Sequence, residues 1–156
     1  MNEKIKLLIS DDEKHIQRIV TNMLEIDYDI EFFYADNGKD CQEILENNDI
    51  DIVISDIRMP KKTGIQVLTE LKGKIVGVPF IFITGTKDVK YVVECLRLGA
   101  FDLIEKPFNI EVLIEVFNRA VEYRELFVMT RQFFKDNSSD GFFPAEVLER
   151  LTKSLV

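Results

Sequence analysis

The stretch from residue 51 to residue 64, "DIVISDIRMPKKTG", decides how the rest of the chain is read. Ile52, Val53 and Ile54 form the kind of continuous apolar run that a strand shows when both faces of its sheet are covered. The run ends at Asp56, a carboxylate, and Pro60 and Gly64 follow within eight residues. A buried strand that delivers an acid to its carboxyl end suits an open α/β sheet, whose ligands sit in the crevice beyond the strand ends.

Outward from this stretch the same unit recurs. Short runs at 5–10 (IKLLIS), 30–35 (IEFFYA), 51–55 (DIVIS), 79–84 (PFIFIT) and 101–105 (FDLIE) have strand length and β-branched or aromatic content. Helical stripes lie between them. Ile16, Ile19, Val20, Met23 and Leu24 recur at i, i+3, i+4, i+7 and i+8, and similar stripes run through 41–45, 65–71, 89–96 and 112–121. Five βα units predict a parallel sheet with helices on both faces and right-handed crossovers, a doubly wound α/β domain in three layers.

Composition bounds the function. At 156 residues, 46% hydrophobic and 31% charged, the chain has material for one ordinary domain with a full core. A net charge of -8 argues against direct nucleic-acid binding and against an anionic membrane surface, because both would repel the chain as a whole. Cys41 and Cys95 lie in separate helical patterns without a Cys-x-x-Cys spacing, which reads as reduced thiols in a cytoplasmic protein. The opening MNEKIKLLIS has too short an apolar run for a signal-peptide core, and no segment approaches a membrane span.

Candidate functional residues should follow the strand ends. Asp11 and Asp12 follow the first run, Asp56 the third, Thr84 closes the fourth, and Lys106 with Pro107 follows the fifth. A single acid after a strand is usually a helix cap or a solvated loop residue. Three carboxylates, a hydroxyl and an ammonium from four separate segments point instead to a site. Two unit charges about 4 Å apart repel by roughly 4 kcal/mol at an effective dielectric of 20, so the acids need a counterion. An oxygen-only set suits Mg²⁺, which takes one or two carboxylates and keeps waters and a phosphoryl oxygen. Lys106 supplies a charge for such an oxygen and Thr84 a donor, a composition suited to phosphoryl transfer onto a carboxylate.

Asp11-Asp12, the run DIRMPKKTG from Asp56, Thr84 with Gly85, and Lys106-Pro107-Phe108 together resemble the receiver domain of two-component response regulators, over about residues 4–124. The resemblance implies a flavodoxin-like five-stranded sheet in the order 2-1-3-4-5. It implies that Asp56 accepts a phosphoryl group from a sensor histidine kinase or histidine phosphotransfer protein. Mg²⁺ would be held by Asp12, Asp56 and the backbone carbonyl of Arg58, with Asp11 helping through water. Lys106 and Thr84 would bind the phosphoryl oxygens, Thr84 moving toward them as the switch, and a cis bond before Pro107 would aim Lys106 inward. Such a chain is a signalling switch for an output domain or partner, and catalyses only its own phosphorylation and autodephosphorylation.

Other positions have local readings. Gly64 should sit where a side chain would be crowded, Gly85 should leave the phosphoryl group open, and Arg58 and Thr86 flank the site. His15, the only histidine, reads as a solvated surface residue. The family usually places a Tyr or Phe three residues before the lysine, and this chain has Leu103. Strand alternation puts Phe101 on the same side as Leu103, as a partial substitute. A haloacid-dehalogenase-type phosphatase also uses an aspartate after a strand, but needs a second acid where this chain has Arg58. A receiver fold silent to phosphorylation, serving only as a binding module, is the third reading.

The resemblance stops near residue 124, which divides a receiver unit, 1–124, from a helical extension or linker, 125–156. Leu113, Val116, Ala120, Tyr123, Phe127, Thr130 and Phe134 recur in steps of three and four, so the fifth helix should overrun the domain to about residue 134. KDNSSDG should break it, and FFPAEVLERLTKSLV offers a last short helix with Pro144 at its start. The exposed stripe could pair two copies into a homodimer.

Overall fold

The five apolar runs form five strands: β1 (Ile5–Ser10), β2 (Ile30–Ala35), β3 (Ile52–Ser55), β4 (Phe80–Thr84) and β5 (Asp102–Glu105). In the computed structural model, which describes residues 3–85 and 87–137, they make one parallel sheet in the order β2-β1-β3-β4-β5. The helices are α1 (Lys14–Leu24), α2 (Gly38–Asn47), α3 (Gly64–Leu71), α4 (Val89–Arg97) and α5 (Ile110–Asp136). The fold is the doubly wound architecture with the flavodoxin-like strand order.

Alternation along the strands sorts the side chains into two cores. Ile52 and Ile54 point to one face, with Leu7, Ile9, Ile81 and Ile83, where α1 and α5 cover them through Val20, Leu24, Leu113 and Phe117. Val53 points to the other, with Leu8, Phe80 and Phe82, under Cys41, Leu45, Val67, Leu68 and Cys95 of α2, α3 and α4. Burying each such aliphatic side chain contributes about 1.5–3 kcal/mol, which is why strands of β3's composition occupy the middle of the sheet.

The starts of α2, α3, α4 and α5 are capped by short polar side chains that accept from the first free N–H groups. Asn37 accepts from Asp40, Asp88 from Lys90 and Asn109 from Glu111, and at α3 Thr63 and Gln66 form a reciprocal capping box. Gly64, the first residue of α3, is required sterically. A Cβ there would lie 2.3 Å from the Asp56 backbone carbonyl and 2.7 Å from the Phe82 ring, so α3 presses against the end of β3.

The α5 helix runs without a break from Ile110 across Arg124 to Asp136. Of the expected stripe, Leu113, Val116 and Ala120 are buried within the chain's own core, and Tyr123 packs on Phe101 at 5.5 Å between ring centroids. Beyond Arg124, Leu126 is buried, and the Phe127 ring fills the space a Gly77 side chain would need. Gly77 takes φ of +76°, a conformation open to glycine, and lets the helix come close. Arg124 fastens this approach by donating to Asp51 Oδ1 and to the Gly77 carbonyl, each at 3.2 Å. Phe134 is exposed. The expected last helix, and Thr86, lie outside the described residues.

Phe101 does not share a side with Leu103. It packs against the α1/α5 core, whereas Leu103 packs against the α2–α4 core. The strand begins only at Asp102, and Phe101 occupies the bend before it, its N–H bonded to the Phe80 carbonyl at 2.8 Å, so strand alternation does not govern it. Among the described residues, no helix is long and apolar enough to cross a membrane.

Candidate functional site

The ladder of the sheet carries the candidate residues into place. One residue past its strand, Asp11 donates its N–H to the Ala35 carbonyl at the end of β2 (3.0 Å), and Asp56 donates to the Ser10 carbonyl at the end of β1 (2.8 Å). Lys106 donates to Thr84, the last residue of β4, at 2.8 Å. Each backbone is thereby fixed by a neighbouring strand end, and the side chains project over the carboxyl edge of the sheet. The Lys106-Pro107 bond is cis.

Above this frame the Lys106 ammonium lies between two carboxylates, 2.8 Å from Asp11 Oδ2 and 2.9 Å from Asp56 Oδ2, with Glu13 Oε1 at 3.9 Å. The other oxygen of Asp56 accepts the Arg58 N–H at 3.2 Å, and the other oxygen of Asp11 accepts the Glu13 N–H at 2.9 Å. Asp11, Asp56 and Thr84 are 2%, 7% and 1% exposed, so the charges sit where water screens them little, while Asp12 and Glu13 are exposed at the mouth. Burial holds Asp11 above the ordinary carboxylate range despite its hydrogen bonds from Lys106 and Glu13. For Lys106 burial works against the charge, yet the bonds it donates to Asp11 and Asp56 outweigh it and raise its titration above 10.5.

Asp11, Asp12, Glu13 and Asp56 each offer a carboxylate oxygen, and these oxygens lie within 4.8 Å of one another. The set is hard, anionic and oxygen-only, and it fits a divalent cation of the Mg²⁺ kind. Of the residues expected at the site, Asp11, Asp12, Asp56 and Lys106 are thus brought together. Thr84 closes β4 beside them, paired in register with Glu105, the residue before Lys106. Gly85 has open space around its Cα. His15 is exposed.

Two contributors, Glu13 and Gln17, escaped the sequence reading, and a third, Met59, was expected to shape the loop it stands in. Glu13 joins the acid cluster; its signal was the third acid of the run that begins at Asp11. Gln17 is buried, and its amide donates to the Asp11 carbonyl (2.7 Å), the Ala35 carbonyl (3.2 Å) and Asp36 Oδ1 (2.9 Å), clamping β1 to β2 beneath the site. Its signal was a polar residue on the same helical face as Val20 and Leu24. Met59 is buried and accepts the Ser10 hydroxyl on its sulfur at 3.1 Å, which pins the loop after Asp56.

A family model for the response regulator receiver domain matches residues 7–118. The chain belongs to this family. The receiver is 32% identical over 121 residues to the regulatory protein AtoC of Escherichia coli (strain K12), a match covering 78% of this chain and 26% of AtoC. It is 39% identical over 108 residues to a protein-glutamate methylesterase/protein-glutamine glutaminase of Clostridium acetobutylicum, covering 67% of this chain and 31% of that protein. The receiver thus spans less than a third of either relative's length. A receiver domain structure from Clostridium thermocellum superposes with a TM-score of 0.71 at 32% identity, over 79% of this chain and 98% of that one. A CheY-like receiver from Methanospirillum hungatei JF-1 gives 0.74 at 25% identity with the same coverage. Receiver domains take phosphoryl groups from histidine kinases and are linked to output regulators.

Proposed function

We propose that this receiver accepts a phosphoryl group on Asp56 from the phosphohistidine of a sensor kinase or phosphotransfer protein, and passes the event to an output domain or partner. A carboxylate oxygen of Asp56 would attack phosphorus in line with the P–N bond. The P–O bond forms as the P–N bond breaks, and the electron pair leaves on the imidazole nitrogen. Asp12, Asp56 and the Arg58 backbone carbonyl would hold Mg²⁺, with Asp11 acting through water; when bound, the ion supplies positive charge for the phosphoryl oxygens. Lys106 already bridges Asp11 and Asp56, so it needs only to exchange the Asp56 oxygen for a phosphoryl oxygen while keeping Asp11. The Thr84 hydroxyl would bind a second phosphoryl oxygen and move as the switch.

The observation that carries this reading is the Lys106 ammonium held between Asp11 and Asp56 inside an oxygen-only acid cluster. The phosphatase alternative lacks support: Arg58 occupies the position of its second acid, and its side chain lies over the Tyr91 ring. On this reading the chain catalyses only its own phosphorylation and dephosphorylation, in the cytoplasm, where the buried thiols Cys41 and Cys95 stay reduced. Pairing of two copies through α5 would use the apolar residues that helix leaves exposed, Ile110, Val112, Tyr123, Val128 and Phe134, because Leu113, Val116 and Ala120 are consumed by the core. Incubation with acetyl phosphate and Mg²⁺ should add one phosphoryl group, seen by intact mass, and Asp56→Asn should abolish it. Undiminished labelling of the variant would move the nucleophile elsewhere.

A further inference from the structure

Arg58 touches the site through its backbone and leaves it through its side chain. The N–H donates to Asp56 Oδ1 at 3.2 Å, and the exposed guanidinium stands over the ring of Tyr91, 5.4 Å from the centroid. Tyr91 lies in the first turn of α4, half-buried against the core that holds Phe82, Val67 and Cys95. One side chain therefore joins the loop after the acceptor to the helix after β4.

A cation over an exposed ring contributes only about 0.5–1 kcal/mol. A phosphoryl group carries about −1.5 to −2 charge where the Asp56 carboxylate carried a single one, and brings three strong acceptor oxygens, which a guanidinium binds in bidentate fashion. The reach is short: two residues of chain separate the Cα atoms of Arg58 and Asp56 by at most about 7 Å. The ring and the phosphoryl group compete for one cation, and the phosphoryl group is the stronger ligand.

We propose that Arg58 is shared between these two ligands, held on Tyr91 in the unlabelled chain and drawn to the phosphoryl oxygens in the labelled one, so that release of Tyr91 reports the state of Asp56 to α4. The proposal rests on Asp56 being the phosphoryl acceptor. It gives the chain a route from site to α4 that needs no aromatic residue at position 103, where Leu103 has no polar atom with which to follow the charge.

Coupling between two ligands of one group is reciprocal, so removing the ring must strengthen the hold on the phosphoryl group. The test is a double-mutant cycle on the full chain, in which equilibrium binding of beryllium fluoride, a phosphoryl mimic, is titrated at saturating Mg²⁺. Tyr91→Leu should raise affinity about two- to fivefold, the fold-change equivalent to the ring contact. In an Arg58→Met background, which keeps the backbone carbonyl, Tyr91→Leu should change affinity less than the cycle's error. A purely structural cost of losing the ring appears in both backgrounds and cancels. Unchanged or weaker binding by Tyr91→Leu with Arg58 present, or an equal rise in both backgrounds, would overturn the proposal. Failure of the unsubstituted chain to bind the mimic is a different result: it would overturn the acceptor reading itself, before any substitution is made.

Discussion

One ammonium serving two buried carboxylates sets the pH behaviour of this molecule. The raised Asp11 means that the folded state holds this proton more tightly than the unfolded chain does. Its contribution to stability is greatest below 3.8 and is lost as pH rises through the raised value. Lys106 acts at the other end of the scale: its contribution is complete below 10.5 and is lost as pH rises through its own raised value. In Mg²⁺-free buffer, Asp11→Asn should therefore gain on the parent in urea midpoint as pH rises from 3.8 through the raised Asp11 value, and a difference independent of pH would refute the assignment. Asp12→Ala, at the exposed mouth, should be as stable as the parent or more so without metal, yet show little of the rise in melting temperature that Mg²⁺ gives the parent. A variant much less stable than the parent but with full Mg²⁺ response would mean that the acids share no metal site. These acids were legible because they follow apolar runs. Gln17 was harder to read: its place on the face of Val20 and Leu24 marks it as buried, but nothing in the stripe says which carbonyls its amide clamps.

At the level of elements, two glycines that look alike in the sequence should behave oppositely. Gly64→Ala gains helix propensity, but its Cβ meets the Asp56 carbonyl at 2.3 Å, so the end of β3 must shift. We expect a loss of about 1–3 kcal/mol, read by denaturant unfolding, together with slower labelling of Asp56. Gly85→Ala meets nothing within 4 Å, so its melting temperature should match the parent, while labelling slows if this glycine keeps the phosphoryl group open as expected from the sequence. Strands were readable almost to the residue, since burial on both faces leaves them as continuous apolar runs. Asp51, Pro79 and Phe101, read as strand starts, each lie one residue early. They join the ladder through a single backbone group, Asp51 to the Lys6 carbonyl, Val53 to that of Pro79, and Phe101 to that of Phe80. That half-membership is why alternation failed for Phe101.

Across the whole molecule, the division into a receiver unit, 1–124, and an extension, 125–156, is a proposal about which residues the domain needs. Spacing of three and four residues shows that a helix has an apolar face. It is silent on what covers that face, which is why Leu113 and Val116 and the exposed Phe134 fell into one stripe. Leu126 is buried and Phe127 closes over Gly77, so a chain ending at Arg124 should lose about 2–5 kcal/mol against one ending at Asn137, measured by urea unfolding. Equal stability would place the domain's edge at 124. Light scattering on the full chain and on the one ending at Arg124 addresses pairing: a dimer lost on truncation supports contact beyond Arg124, and a full chain that stays monomeric at high micromolar concentration excludes it.

The pairing of Lys106 with Asp56 spans 50 residues of chain. During synthesis at roughly 5–20 residues per second, Asp56 therefore leaves the ribosome about 3–10 s before its cation does. Throughout that interval Asp56 lacks the cation that faces it in the folded chain, so, if it is the acceptor proposed above, a kinase that met it early would meet a site without Lys106. The site is therefore complete only once β5 has been made and has brought Lys106 to the sheet's edge.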